Sequence, residues 1–464
     1  MHGSNQALSS DSSRSKSPQA NQFRLRVRPH VALLPWGHTL EDFLHGLGVS
    51  FDQFCTEMSG GWLFGYVQAL QLTGFGVTIF CFSSQTRVTA SRRHQPTGAE
   101  ICLIPANRPY RWMRRFFSDP YAWATDDMFA DREVPRPAKK FLRHLLPYFA
   151  TPPWSLRREL SRRDVRMILC QEYEYARFDV MIALGSLFRI PVFATFQGGN
   201  WQTSRLEKIT RPRAIRHCAG LIIGPGTEAA RVQATYGIVP GKIARLPNPL
   251  DLTEWQPVPR VEARAKLGLP VTARIALSHG RIDIFRKGLD LLLDAWSKLR
   301  AAHPNQDRRL VLIGAGNDAA ELRSMLGRQG DPSVFWMDRY VRDRPLMRTW
   351  LSAADVYVMA SRHEGFPVAP LEGMACGLPV IATAVPGIDE IMGDEVPLPG
   401  ITVPIADVPA LAGALERLLD DITLSRDLGL RAKKRAQDFS LASVGTQLGD
   451  FLLAHTTAVN PRFL

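Results

Sequence analysis

Ser361-Arg-His-Glu-Gly-Phe-Pro-Val-Ala-Pro-Leu-Glu-Gly-Met-Ala-Cys-Gly-Leu-Pro-Val-Ile-Ala-Thr383 follows closely on Asp355-Val-Tyr-Val-Met359. The earlier run is short, apolar and rich in β-formers, which predicts a buried strand. A Gly/Pro loop comes next, then a predicted helix with Glu372 in its first turn, then a second strand at Val380–Thr383. That order predicts a parallel sheet, whose ligands bind in the crevice beyond the carboxyl ends of its strands. Glu364 and Glu372 stand eight positions apart, on either side of the loop. A helix start favours anions, because its unpaired N–H groups and its dipole point that way. Ionised carboxylates are pure acceptors and suit a ligand dense in hydroxyls. The ligand this pattern implies is a sugar attached to a nucleotide.

The alternation of strand and helix extends over the whole chain and predicts an α/β protein with parallel sheets. At 464 residues the chain exceeds one ordinary core, so two domains are expected. The first set of predicted strands is His30–Pro35, Val77–Phe82, Ile101–Ile104, Arg166–Cys170, Val192–Phe196, Gly220–Ile223 and Ile243–Leu246. The second is Ala273–Ser278, Arg309–Ile313, Val334–Met337, Asp355–Met359 and Val380–Thr383. Between them lies Leu246-Pro-Asn-Pro-Leu-Asp-Leu-Thr-Glu-Trp-Gln-Pro257, a proline-punctuated link without periodicity. The expected organisation is a disordered Ser/Gln-rich tail at 1–22, domains at 23–250 and 251–440, and an amphipathic last helix within 441–464.

Taken from Asp355 through Gly365-Phe366 to Gly377-Leu-Pro-Val380 and Pro386-Gly387, the central stretch resembles the E-x7-E signature of the retaining glycosyltransferases of family 4. The resemblance implies the GT-B fold: two Rossmann-like, doubly wound parallel-sheet domains facing a central cleft. The first would hold the acceptor and the second a nucleotide-sugar donor. It implies that Glu364 holds the hydroxyls of the donor sugar and Glu372 the ribose. Gly365, Phe366, Pro367, Val368 and Leu371 of the same segment would lie against the donor.

The second domain's first strand ends in Ser278-His-Gly-Arg-Ile-Asp-Ile-Phe-Arg-Lys287. A diphosphate needs cationic donors reaching both phosphates, for which Arg offers a planar fork and Lys a mobile point charge. This segment resembles the family's arginine–lysine pair, and the role passes to Arg281 and Lys287, with Arg286 as a substitute. They would stabilise the diphosphate as it leaves. Val334–Val341, which contains Met337, occupies the place of the family's base-binding loop. In the first domain, Ser59-Gly-Gly-Trp62 opens an apolar helix with a glycine pair that permits close backbone approach. The family has a comparable pair, so Gly60 and Gly61 become donor contacts. The proline-rich link resembles the family's hinge, and the last helix is expected to cross back onto the first domain.

The chain departs from the family pattern twice. Gly37–Met58 is a long insertion after the first strand, expected to shape the acceptor site. Gln197, in Phe196-Gln-Gly-Gly-Asn200, stands where many relatives have a histidine that touches the donor sugar. Glutamine donates and accepts but cannot act as an acid or base. It remains compatible with a front-face displacement, in which the departing phosphate takes the acceptor's proton and the protein positions reactants and stabilises charge. No Asp-x-Asp pair or histidine cluster is present, so neither a metal nor another cofactor is expected. The cations of Arg281 and Lys287 would serve in a metal's place.

The net charge is +13, and Arg108–Arg166 holds 14 Lys/Arg against 7 Asp/Glu, more than half of that excess. Within it, Phe141, Leu142, Leu145, Leu146 and Phe149 recur at helical spacing opposite Lys139, Lys140, Arg143 and His144. Two readings stay open: an interfacial helix on anionic membrane, or an ordinary helix covering its own sheet. No nucleic-acid-binding module accompanies the charge. No apolar run approaches the roughly 18 residues of a membrane span, and the N-terminal segment lacks the apolar stretch of a secretory signal. Six scattered cysteines without a C-x-x-C pair read as buried thiols in a reducing compartment, hence a cytoplasmic enzyme.

The resulting expectation is transfer of a sugar to a saccharide or lipid-linked acceptor, of the kind that builds polysaccharides or glycolipids. The alternatives are a nucleotide-sugar epimerase or phosphorylase on the same fold, and a non-catalytic nucleotide-sugar-binding protein, the last motivated by Gln197.

Overall fold

The computed structural model describes residues 28–45, 48–117, 129, 135–199 and 204–459; the expected tail at 1–22 lies outside them. The first sheet has eight strands: Arg28–Leu34 (β1), Phe75–Ser83 (β2), Ala90–Arg93 (β3), Glu100–Pro105 (β4), Val165–Gln171 (β5), Val192–Thr195 (β6), Gly220–Ile222 (β7) and Ile243–Ala244 (β8). Their spatial order is β3-β4-β2-β1-β5-β6-β7-β8. The second sheet has six: Arg274–His279 (β9), Arg308–Ile313 (β10), Val334–Met337 (β11), Val356–Met359 (β12), Val380–Thr383 (β13) and Gly400–Val403 (β14), in the order β11-β10-β9-β12-β13-β14. Every pairing is parallel except β3 with β4.

Both sheets are covered on both faces, which is why their strands are continuous apolar runs without alternating polarity. Along β1, Val31 and Leu33 enter one core while Ala32 and Leu34 enter the core on the opposite face. Along β9, Ile275 and Leu277 face one way and Ala276 the other. Successive side chains of a strand point to opposite faces, so one run fills two layers.

The insertion between β1 and the next long helix folds into two short helices, Leu40–His45 and Phe51–Thr56. Leu40, Leu44, Val49, Phe54 and Cys55 are buried in the core of the first sheet. The segment is therefore a packed cover on that sheet. The basic helix Arg136–Phe149 behaves similarly: Leu146 is fully buried beside Tyr110, Phe117 and Phe129, with Leu142 against the same cluster. Two of its apolar positions are thus packed against its own domain, while Phe149 of the same face is exposed. No helix among the described residues is long and apolar enough to cross a membrane.

The chain passes between the sheets near Leu250, which forms an isolated parallel bridge with Ser440. The last helix, Leu441–Val459, returns to the first unit, where Leu448 and Leu452 join its core and Phe451 packs edge-on to Phe193 with ring centroids 6.0 Å apart. Glu390 also ties the two units, accepting from Gly226 N at 2.5 Å and from Arg245 at 2.7 Å.

Candidate functional site

The carboxyl ends of both sheets meet at a cleft of about 350 Å³, within the range of small-molecule sites. The route of the chain out of β9 explains how its cations get there. Asp283 caps the short helix Ile284–Lys287 by accepting from Arg286 N at 3.0 Å. Gly288 ends it with φ +63, and a Cβ there would stand 2.0 Å from the carbonyl oxygen of Ala360. Only glycine lets this turn lie so close to the end of β12, and the close approach delivers Lys287 to Glu364.

Lys287 Nζ lies 2.6 Å from Glu364 Oε1, and Ser361 Oγ donates to the same oxygen at 2.6 Å. Glu364 is buried, and its Oε2 accepts no hydrogen bond from the described residues. Arg281 also lines the cleft and forms no hydrogen bond or ion pair with the described residues. Enclosure of its guanidinium and the neighbouring Arg286 both lower its pKa. An arginine starts so high that it stays cationic regardless. Arg286 completes a basic wall around the loop.

Glu372 is buried at the start of the helix Ala369–Ala375. Its Oε2 lies 2.6 Å from His279 Nε2, and its Oε1 accepts from Arg344 at 3.1 Å. Burial alone would push this carboxyl's pKa up, but the hydrogen bond from His279 and the charge of Arg344 outweigh it and hold it below the ordinary range. Arg344 stacks over Trp255 at 5.1 Å and donates to the Ser59 carbonyl at 2.5 Å. A Cβ on Gly60 would stand 2.0 Å from an Arg344 nitrogen, so Gly60 packs directly on this guanidinium. Arg344 thereby links the glycine pair of the first domain to Glu372 of the second.

From the first domain, Gln197 reaches the cleft beside Asn248. Its Nε2 donates to Thr195 Oγ1 at 3.0 Å and Asn248 Oδ1 at 3.2 Å, and its Oε1 accepts from Asn248 at 3.4 Å. Asn248 also donates to the Phe366 carbonyl at 3.1 Å. Gln197 thus ties the loop after β6 to the interdomain link and, through Asn248, to the Glu364 segment. The two loops touch at Gly198 and Gly365: a Cβ on Gly365 would meet the Gly198 backbone nitrogen at 2.5 Å.

Glu364, Glu372, Arg281, Lys287, Gly365, Phe366, Pro367, Val368 and Gln197 all line this cleft. Leu371 does not: it is fully buried in the second domain's core beneath the loop. Met337 lies outside the lining, packed against that core, and its carbonyl accepts from Gly314 N at 3.1 Å and Arg339 N at 2.9 Å. His279, Arg344, Ser361 and Asn248 carry no local signal that marks them as site residues. Only their neighbours across the fold do.

Residues 273–421 match the model of the family described as glycosyl transferases group 1. D-inositol 3-phosphate glycosyltransferase of Jonesia denitrificans is 31% identical over 261 residues, covering 54% of this chain and 60% of that protein. The enzyme of that name from an Arthrobacter species is 32% identical over 245 residues, covering 52% and 57%. The chain spans less than two thirds of the length of these curated relatives. Sucrose-phosphate synthase from Thermosynechococcus elongatus superposes with a TM-score of 0.66 at 21% identity, over 92% of this chain and 100% of that one. Anabaena HepE in complex with UDP-glucose superposes at 0.63 with 13% identity, over 92% and 100%. The chain has the GT-B fold, and its second domain matches the glycosyl transferases group 1 family.

Proposed function

We propose that the protein is a retaining glycosyltransferase that moves a sugar from a nucleotide-diphosphate sugar to a saccharide or lipid-linked acceptor. The observation that carries this reading is the convergence of Glu364, Glu372, Arg281 and Lys287 in one cleft between the two sheets. The likeness to enzymes named D-inositol 3-phosphate glycosyltransferase, and to a structure titled as a complex with UDP-glucose, supports a nucleotide-sugar donor. In this reading the uncommitted oxygen of Glu364 accepts sugar hydroxyls. Glu372, oriented by His279 and Arg344, holds the ribose. Arg281 and Lys287 gather the diphosphate, so that charge building on the leaving group meets fixed cations. That phosphate takes the acceptor's proton, and no side chain needs to act as a base, which suits Gln197.

The cations are proposed to do a metal's work. A cytoplasmic setting is supported by six buried, unpaired thiols. Peripheral contact with anionic membrane is supported by the exposed Trp112 beside Arg108 and Arg111 on one basic surface of the first domain. Flotation with phosphatidylglycerol vesicles checks the last point: the protein rises with the vesicles, and protein left at the bottom of the gradient ends the membrane proposal.

Incubation with a panel of UDP-, GDP- and ADP-sugars, with and without cell extract as acceptor source, tests the whole reading. Acceptor-dependent nucleotide release is the expected result. Epimerisation without acceptor, or binding without turnover, would favour the rival readings. Glu372→Ala removes a charged acceptor and is expected to weaken donor binding by about 10- to 100-fold. Calorimetry reads it, and unchanged affinity would remove Glu372 from the site.

A further inference from the structure

Glu172 lies immediately beyond β5 and is absorbed by none of the roles above. It is a buried carboxylate with φ +103, a conformation that side-chain-bearing residues seldom adopt. Such an outlier is held in place by its surroundings and points to a functional constraint. Its Oε2 accepts from Gln197 N at 3.1 Å and from Gly199 N at 2.7 Å. Its Oε1 accepts from Glu174 N at 2.8 Å. A Cβ on Gly199 would stand 2.5 Å from the carboxyl carbon of Glu172, so the loop is built around this group. The loop in turn packs on the far strand end of the cleft, because Gly198 abuts Gly365, the residue after Glu364.

We propose that Glu172 is a positioning residue: ionised, it holds the Gln197–Gly199 loop against the Glu364 loop, and protonated, it releases it. The inference rests on reading the cleft as the donor site. Three N–H donors converge on two oxygens, an arrangement the carboxylate, an acceptor at every position, satisfies best. A carboxylic acid places an O–H among donors and accepts more weakly.

The titration falls in a useful range. Burial pushes this carboxyl's pKa up, the three backbone donors pull it back only in part, and it stands at about 7. Across the loop, Arg286 brings a guanidinium nitrogen to 3.5 Å from where a Cβ on Gly198 would stand. Glu174 on the same turn adds repulsion. Arg211, from the helix Arg205–His217, pairs with Glu174 at 2.9 Å, and Arg231, from the helix Gly226–Tyr236, pairs with it at 2.5 Å. Tyr173, between the two glutamates, donates to Glu228 of that same helix. Arg211 and Arg231 are thus committed to Glu174, Asp179 and Glu228, and among the described residues Glu172 has only backbone partners. As pH falls through about 7, Glu172 takes up a proton and the loop loses its anchor.

Backbone amide exchange of the full chain, corrected for the intrinsic rate, tests this at about pH 6 and about pH 8, between which the ionised fraction of such a group rises roughly tenfold. Protection of Gln197 and Gly199 is expected to rise by about that factor in the wild type, and to be low at both pH values in E172Q. Equal protection at both pH values in the wild type, or a rise that survives in E172Q, overturns the proposal. If E172Q does not fold, E172D takes its place: the shorter arm must displace the titration, and an unmoved one overturns the proposal. Calorimetric titration of the same samples with UDP, GDP and ADP separates the two readings. Absence of binding by all three at both pH values removes the donor-site reading and leaves the exchange result standing, whereas binding of any one with flat exchange removes only the role of Glu172.

Discussion

Lys287→Ala is expected to lower turnover by about 100-fold or more, the loss typical of one group placed where charge develops. The ammonium sits 2.6 Å from Glu364 and lines the cleft, where the proposed function places the leaving group, on a helix whose close approach depends on Gly288. Its removal acts twice. In the proposed reaction the departing diphosphate loses a fixed cation, and among the described residues the buried Glu364 keeps only the Ser361 hydroxyl as partner. Lys287→Arg separates the two contributions, because a planar fork restores charge but not the geometry of a compact ammonium. The double variant with Glu364→Gln is expected to be less impaired than the sum of the single losses, as groups in direct contact do not add. Wild-type turnover in Lys287→Ala would leave the leaving-group assignment without support.

The parts of the fold legible in the sequence are those with a continuous local signal. Strands such as Val356–Met359 and Val380–Thr383 are buried on both faces, and a short apolar run bounded by loop residues marks such a strand without any tertiary knowledge. Two strands have no such signal. Ala90–Arg93 is an exposed antiparallel edge carrying Arg92 and Arg93, so nothing apolar announces it. Gly400–Val403 opens with a glycine that reads as a turn. A Cβ there would stand 1.9 Å from the Val380 carbonyl oxygen, so the glycine is what lets the edge strand approach β13. The basic helix Arg136–Phe149 left two readings because its amphipathic pattern is the same for a lipid surface and for a protein core. Burial of Leu146 over Tyr110 and Phe117 accounts for part of that pattern, while Phe149 of the same face is exposed.

The candidate site divides along the same line. Glu364 and Lys287 are 77 positions apart, yet both sit at strand ends with recognisable loops, so each could be picked from its own segment. Arg344 could not. It is the first residue of a helix capped by Asp343, where a surface cation would look identical, and its value comes from Glu372, Trp255 and Ser59 arriving from elsewhere. Gln197 stands out in the sequence as a departure, but its physical meaning emerges from Asn248. The amide spends its donors on Thr195 and Asn248, a tie that requires both an acceptor and a donor on one side chain.

The stretch that reveals the fold also borders a buried charge pair. Asp355, the residue before β12, accepts from Arg264 at 2.8 Å, from Arg260 at 2.7 Å and from Ile275 N at 2.8 Å. Arg264 is 2% exposed and Asp355 4%, so this pair lies inside the second domain, while Arg260 reaches partly to water. Burial lowers the Arg264 pKa despite the neighbouring carboxylate, a sign of how much desolvation the guanidinium bears. Asp355→Ala leaves that cation buried without a counter-ion and an N–H of β9 without an acceptor. The expected loss is about 3–5 kcal/mol of unfolding free energy, measured as a lowered denaturant midpoint. Arg264→Met in the same chain should return much of it, since replacing both members of a buried pair by apolar groups is far milder than removing one. The Ile275 amide would keep the recovery incomplete, by about 1–3 kcal/mol. A single variant that loses under about 1 kcal/mol would mean that Arg264 reaches water when Asp355 is gone, and a double variant no better than the single would place the loss in the strand hydrogen bond instead.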